Sequence, residues 1–173
     1  MIGKGTYSEI NSIISLIKAC GKNLRDNGID QWDESYPSIE NITNDIQTET
    51  LFTYKIESEI VGVVVLNEMQ DEEYAEINWL TPFDSKNIVI HRLAVSPPYQ
   101  GRGIARKIME FAEEFALNNN YCSIRLDTFS QNLRNQKFYA NRGYVELGSV
   151  HLKYKKDHPY ICYEMLTENI KKT

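Results

Sequence analysis

The chain has 173 residues, of which 42% are hydrophobic, 25% charged and 11% aromatic. That length fits one domain with a core large enough to fold without disulfides or metal, and the composition excludes a disordered or low-complexity chain. The formal net charge is −5, from 19 Lys and Arg against 24 Asp and Glu, which argues against a nucleic-acid binder because phosphate backbones select basic surfaces. The average hides a split. Residues 1–86 carry 6 basic and 16 acidic side chains, a net of −10, and residues 87–173 carry 13 basic and 8 acidic, a net of +5. Either solvated charge is unevenly scattered, or the two halves handle ligands of opposite sign.

No apolar leader follows Met1, and no stretch approaches the length of a membrane span, so a cytoplasmic protein with no membrane partner is expected. Cys20, Cys122 and Cys162 are odd in number and form no Cys-x-x-Cys pair, which predicts reduced, buried thiols. His91, His151 and His158 lack partners at ligand spacing, so no metal is expected.

In chain order, Gly3-Lys4-Gly5-Thr6 lacks P-loop spacing and reads as an unstructured start. Ile10, Ile13, Ile14 and Ile17 recur at helical spacing and predict a helix over 8–24. A short second helix follows Pro37, over 38–46. The β-rich runs 51–56 and 60–66, parted by Glu57-Ser58-Glu59, predict a hairpin. An acidic turn over 67–76 leads to a strand over 87–95, stopped by Ser96-Pro97-Pro98. Ile104, Ile108, Phe111, Ala112 and Phe115 form one stripe of a long amphipathic helix. A strand over 122–127, a helix over 131–141 with Gly143 as its left-handed cap, and strands over 144–152 and 160–166 complete the order. This is an α/β pattern, a mixed sheet with helices on its faces.

The informative stretch is His91-Arg92-Leu93-Ala94-Val95-Ser96-Pro97-Pro98-Tyr99-Gln100-Gly101-Arg102-Gly103-Ile104-Ala105. A strand enters a loop with two glycines, and the loop opens a long helix. Glycines let backbone N–H groups approach a ligand, and a helix start supplies unpaired donors and a positive dipole end, which together suit a phosphate. From Asn87 to Lys107 there are four Arg or Lys and no acid. A Rossmann fingerprint is discounted because Arg106 stands at its sixth position and five residues with two prolines separate Val95 from Gly101.

Gln100, Gly103 and Ala105 match Gln-x-x-Gly-x-Ala, which resembles the pyrophosphate loop of the GNAT superfamily of acyl-CoA-dependent N-acetyltransferases. Asn132-Leu133-Arg134-Asn135-Gln136-Lys137-Phe138-Tyr139, running to Gly143-Tyr144, is similar to a second block of that family, with Asn135 where Ala is usual. Trp32 and the run Arg125 to Phe129 resemble a bacterial subgroup of unknown acceptor. The resemblance covers nearly the whole chain. It implies a single acetyltransferase domain over 1–173, with a cofactor core at about 88–145 and an acceptor side at about 24–80. The sheet would be mixed and mostly antiparallel, with its central strands splayed near Val95 and Asp127.

The implied reaction moves an acetyl group from acetyl-CoA (coenzyme A) to a primary amine of a small molecule or peptide by direct attack. A non-catalytic acyl-CoA sensor on the same fold is the alternative, and dimers are common among relatives, so a homodimer is an implied partner. By the resemblance, Leu93, Ala94 and Val95 would hold the pantetheine arm and the thioester, and Gln100, Gly101, Arg102, Gly103, Ile104 and Ala105 the pyrophosphate. Phe138 belongs to the same cofactor set. Asn132 would bind the cofactor arm or cap its helix. Tyr139 matches the family's general acid; otherwise it is a core aromatic. The base is open: His91 has a suitable ordinary pKa but could be structural, and Glu76, Asp127 or water are alternatives. Trp32, Tyr36, Tyr74 and Asp127 are the acceptor-side residues, with Asp30 and the acidic run Asp71-Glu72-Glu73; otherwise that run is an exposed loop, and Trp32 and Tyr36 cover the sheet.

Overall fold

A computed structural model describes residues 1–33, 36–153 and 157–170. The elements are β1 (Ile2–Lys4), α1 (Ile10–Asp26), α2 (Ile39–Gln47), β2 (Leu51–Ile56), β3 (Glu59–Asn67), β4 (Asn87–Val95), α3 (Ile104–Asn118), β5 (Ser123–Phe129), α4 (Leu133–Arg142), β6 (Val145–Val150) and β7 (Tyr160–Leu166). The strands form one seven-stranded sheet in the order β1-β2-β3-β4-β5-β7-β6. β1–β2, β2–β3, β5–β7 and β6–β7 are antiparallel, and β4–β5 is parallel. The expected mixed, mostly antiparallel α/β sheet is the observed one. Two compact units make up the chain, residues 1–66 with 91–112 and residues 67–90 with 113–170.

In the first unit, α1 buries Ile13, Leu16, Ile17 and Cys20, one face at helical spacing, into a core with Ile42, Ile46, Leu51, Val63 and Val65. Each such side chain contributes roughly 1.5–3 kcal/mol on burial. Ser38 caps α2 by accepting from the Asn41 N–H at 3.2 Å. Gly62 of β3 has no room for a side chain: a Cβ there would lie 2.7 Å from Ile108 Cδ1 and 3.3 Å from the Ala94 carbonyl. The start of the chain departs from expectation. Residues Ile2–Lys4 pair with Phe52–Tyr54 as an edge strand, and the Gly5 N–H donates to the Leu51 carbonyl at 2.9 Å. Three residues carry too little pattern to announce a strand; the pairing is supplied by β2.

In the second unit, β5 and β7 pair along their length, placing Arg125 opposite Glu164 and Asp127 opposite Cys162. α4 begins at Asn132, whose side chain accepts from the Asn135 N–H at 3.1 Å, and ends at Gly143 with φ +100°. Cys20 and Cys162 are buried, but Cys122 is exposed, which corrects the expectation of three buried thiols. It stands one residue before β5, where alternation has not yet turned the chain into the sheet. Among the described residues no helix is long and apolar enough to cross a membrane.

Candidate active site

The first unit builds the glycine loop. β4 pairs with β5 only from Asn87 to Ile90, and its remaining residues, His91 to Val95, belong to the first unit. Arg92 interrupts the strand with φ +52°, a left-handed conformation that costs a non-glycine residue roughly 1–2 kcal/mol. Among the described residues its side chain makes one ion pair and one ring contact, and its buried Nε has no hydrogen-bond partner. The guanidinium lies 3.0 Å from Asp45 Oδ2 and over the Tyr36 ring at 5.6 Å. Burial pushes the Asp45 carboxyl up, and Arg92 opposes that shift. The kink shows in the strand's burial, where Ala94 and Val95 are buried but His91, Arg92 and Leu93 are half-buried. Strand periodicity gives no sign of it.

After β4, a tight turn at Pro97–Tyr99 leads into Gln100, whose side-chain amide donates to the Val95 carbonyl at 3.0 Å and closes the loop. Gly101 and Gly103 have φ of +76° and +80°, and space is open where a Cβ would stand. Both glycines are therefore required by backbone conformation. The Gly103 carbonyl accepts from the Lys107 N–H at 3.2 Å as α3 begins. The first-turn N–H groups of this 15-residue helix lie outside its ladder, at the positive end of its dipole. Arg102, Arg106 and Lys107 are exposed around them, with Arg102 over the Tyr99 ring at 5.2 Å; Ile104 is buried and Ala105 half-buried. Trp32, by contrast, packs in the core of this unit, 8% exposed, and Tyr36 lies against that core.

The second unit gathers Tyr74, Asp127 and Tyr139. The fully buried Tyr74 hydroxyl donates to Asp127 Oδ2 at 2.6 Å. Burial pushes the Asp127 carboxyl up to about 6, with the Tyr74 hydrogen bond acting downward and Asp71 upward. Tyr139 is 5% exposed on α4, among Phe138, Tyr144 and Tyr163 at ring distances of 5.4, 6.1 and 6.0 Å. Burial, then the Asp127 charge, then Tyr163 raise its phenol well above the ordinary value. Strand alternation puts Asp127 on the sheet face of Arg125, and Leu126 with its partner Tyr163 on the other face, where Tyr139 packs. Asn135, the departure from the family pattern, donates to Thr128 Oγ1 at 3.3 Å. Of the acidic run, Glu72 pairs with Lys153 on the surface.

A network the sequence reading missed surrounds Arg125, which is fully buried with its cross-strand partner Glu164. Arg125 donates to Glu164 Oε1 at 3.0 Å, to Gln70 Oε1 at 2.5 Å and to the Thr81 carbonyl at 2.8 Å. Glu164 also accepts from the Leu80 N–H and from the Thr81 and Ser123 hydroxyls. A charged pair opposite each other on two apolar strands was the available signal.

The model of the acetyltransferase (GNAT) family matches residues 17–144, and the chain belongs to that family. It is 29% identical over 145 residues to the uncharacterized N-acetyltransferase YesJ of Bacillus subtilis, covering 83% of this chain and 80% of that one. It is 28% identical over 109 residues to a streptothricin acetyltransferase of Escherichia coli, covering 63% of this chain and 54% of that one. The crystal structure of a GNAT-family acetyltransferase from Streptococcus agalactiae superposes with a TM-score of 0.83 at 24% identity, over 100% of this chain and 96% of that one, a likeness of fold. This protein is an acetyltransferase by family.

Proposed function

We propose that the protein acetylates a primary amine of a cationic small molecule or peptide, with acetyl-CoA as donor. The observation that carries the reading is the loop from Gln100 to Ala105, where two left-handed glycines lead into the first turn of α3 beside three exposed cations. That donor set fits a pyrophosphate, because backbone N–H groups and Arg or Lys side chains bind anions, and the stretch from Asn87 to Lys107 holds four such cations and no acid of its own. When bound, acetyl-CoA supplies an activated acyl thioester. The half of β4 beyond Ile90 presents backbone groups that suit an added extended arm, and a Leu93 or Ala94 N–H would donate to the thioester oxygen.

Asp127 is the proton acceptor in this reading, in preference to His91, because it is a half-buried carboxylate whose charge acts on the Tyr139 phenol. It takes a proton from the ammonium of the acceptor, directly or through water, and frees the nitrogen lone pair for attack. As the new C–N bond forms and the C–S bond breaks, the Tyr139 hydroxyl would give its proton to the departing sulfur, and the second proton shed by the new amide nitrogen would return to the phenolate through water. Its raised pKa keeps that proton in place until it is needed. Asp71, Glu73 and Asp127 give this unit acidic character that favours a cationic acceptor. The relative named for streptothricin supports a small molecule.

The test is thiol release from acetyl-CoA with polyamines, amino acids, aminoglycosides, streptothricin and short peptides. Amine-dependent release is expected. Calorimetric binding of acetyl-CoA without release across the panel would instead identify a non-catalytic sensor, and no binding at millimolar acetyl-CoA would overturn both readings.

A further inference from the structure

We propose that Tyr74 is a positioning residue for the transfer: it is carried to Asp127 by a loop anchored on Arg125, and its hydroxyl orients the carboxylate. This rests on Asp127 being the proton acceptor.

The anchor is built from β5 and β7. Arg125 and Glu164 face each other on paired strands and are both fully buried. A buried guanidinium is tolerated only when its donors are met. Here they are met by the loop after β3: Gln70 Oε1, the Thr81 carbonyl and hydroxyl, and the Pro82 carbonyl at 3.2 Å. The Trp79 ring lies on the guanidinium at 4.4 Å. The same indole donates to the Tyr74 carbonyl at 2.8 Å, and the two rings sit 5.0 Å apart. Tyr74 is thus fixed at both main chain and ring, with its hydroxyl aimed at Asp127. A purely structural tyrosine needs only some acceptor, and a neutral amide would serve without the cost of burying a charge. A carboxylate at this place is explained by its proton chemistry.

Within this unit Asp127 meets groups from each packed element. Tyr74 donates from the turn at Glu72–Glu76, and Asp71 adds like charge from the residue before that turn. Cys162 lies opposite on β7, and Tyr139 packs on α4 across the sheet; burial first, and then the Asp127 charge, pushes both upward. Removing Tyr74 therefore favours the protonated acid, and removing Asp71 favours the carboxylate. The two variants shift Asp127 in opposite directions, which a loss of packing would not do.

The test is a ¹³C side-chain carboxyl NMR titration of the full-length protein, with Asp127→Asn assigning the signal. Tyr74→Phe is expected to raise the Asp127 midpoint by about one pH unit, the scale of one hydrogen bond to a charged group. Asp71→Asn is expected to lower it. Should Tyr74→Phe not fold, Trp79→Phe, which lacks the indole donor to Tyr74, takes its place and is expected to raise the midpoint. A midpoint unmoved by these loop variants overturns the inference. Thiol release with streptothricin as the probe amine separates it from the parent reading: Asp127→Asn turning over at the wild-type rate removes Asp127 as base, and with it the role of Tyr74. A shifted midpoint with an inactive Asp127→Asn supports both.

Discussion

Tyr139 sits where two demands meet. It must fill a core position among three aromatic rings, and it must keep a transferable proton. Tyr139→Phe separates these demands, because the ring stays and only the oxygen leaves. The expected outcome is a drop of about 10²–10⁴-fold in turnover, the usual range for a general acid, with acetyl-CoA affinity nearly unchanged. Stopped-flow thiol release paired with calorimetry checks it; equal wild-type and mutant turnover would remove the acid role. The tyrosine itself was legible from the block ending in Phe138-Tyr139. The effect of the Asp127 charge on it was not, because that depends on burial and on α4 lying against the other face of β5. Asn132 could be read from sequence as cap or cofactor ligand; its bond to the Asn135 N–H is the capping geometry. Arg92 was legible as part of a motif and silent as a kink, since a left-handed φ at a non-glycine residue leaves no mark in a one-dimensional pattern.

At the scale of elements, the helices and strands with clear periods were readable, and their ends moved by only a few residues. α1 was expected over 8–24 and runs over Ile10–Asp26; the last strand, expected over 160–166, is β7. Elements whose reason lies elsewhere in the chain were not readable. β1 exists because β2 offers an edge, and the loop after β3 is ordered by an arginine 55 positions away from Gln70. Gly62 shows how tight the packing around β3 is. Gly62→Ala is expected to cost roughly 1–3 kcal/mol, because the Ile108 side chain can turn aside but the Ala94 carbonyl is backbone. Denaturant unfolding would show a lower midpoint with an unchanged slope; an unchanged midpoint would mean that β3 can shift within its unit.

For the molecule as a whole, the charge split has a physical counterpart at its basic end. The acid-free stretch from Asn87 to Lys107 ends at the start of α3, where Arg102, Arg106 and Lys107 are exposed. Asp127 carries a whole-molecule consequence of a different kind. Its folded-state pKa of about 6 lies above the ordinary 3.8, so between those values the folded protein binds more protons than the unfolded chain. Stability therefore falls as pH rises through that window, and the full penalty stands above it. Asp127→Asn should remove a penalty of at most about 3 kcal/mol at pH 8, with the gain fading toward pH 4. Melting temperatures of the two proteins across that range check it. A wild type and variant that differ equally at pH 4 and pH 8 would contradict the raised pKa.

The cysteines turn the same chain into a set of clocks. Cys122 stands in the open, so an alkylating dye reaches it in the native protein, just before β5. Cys20 is closed in the first unit, with its thiol pushed up to about 12 by burial and donating to the Val95 carbonyl at 3.2 Å. Cys162 is closed in the second, buried in β7. Once Cys122 is blocked, each remaining thiol becomes reactive only when its own unit opens. Mass-resolved labelling of these two thiols times the opening of each unit separately, without a single engineered residue.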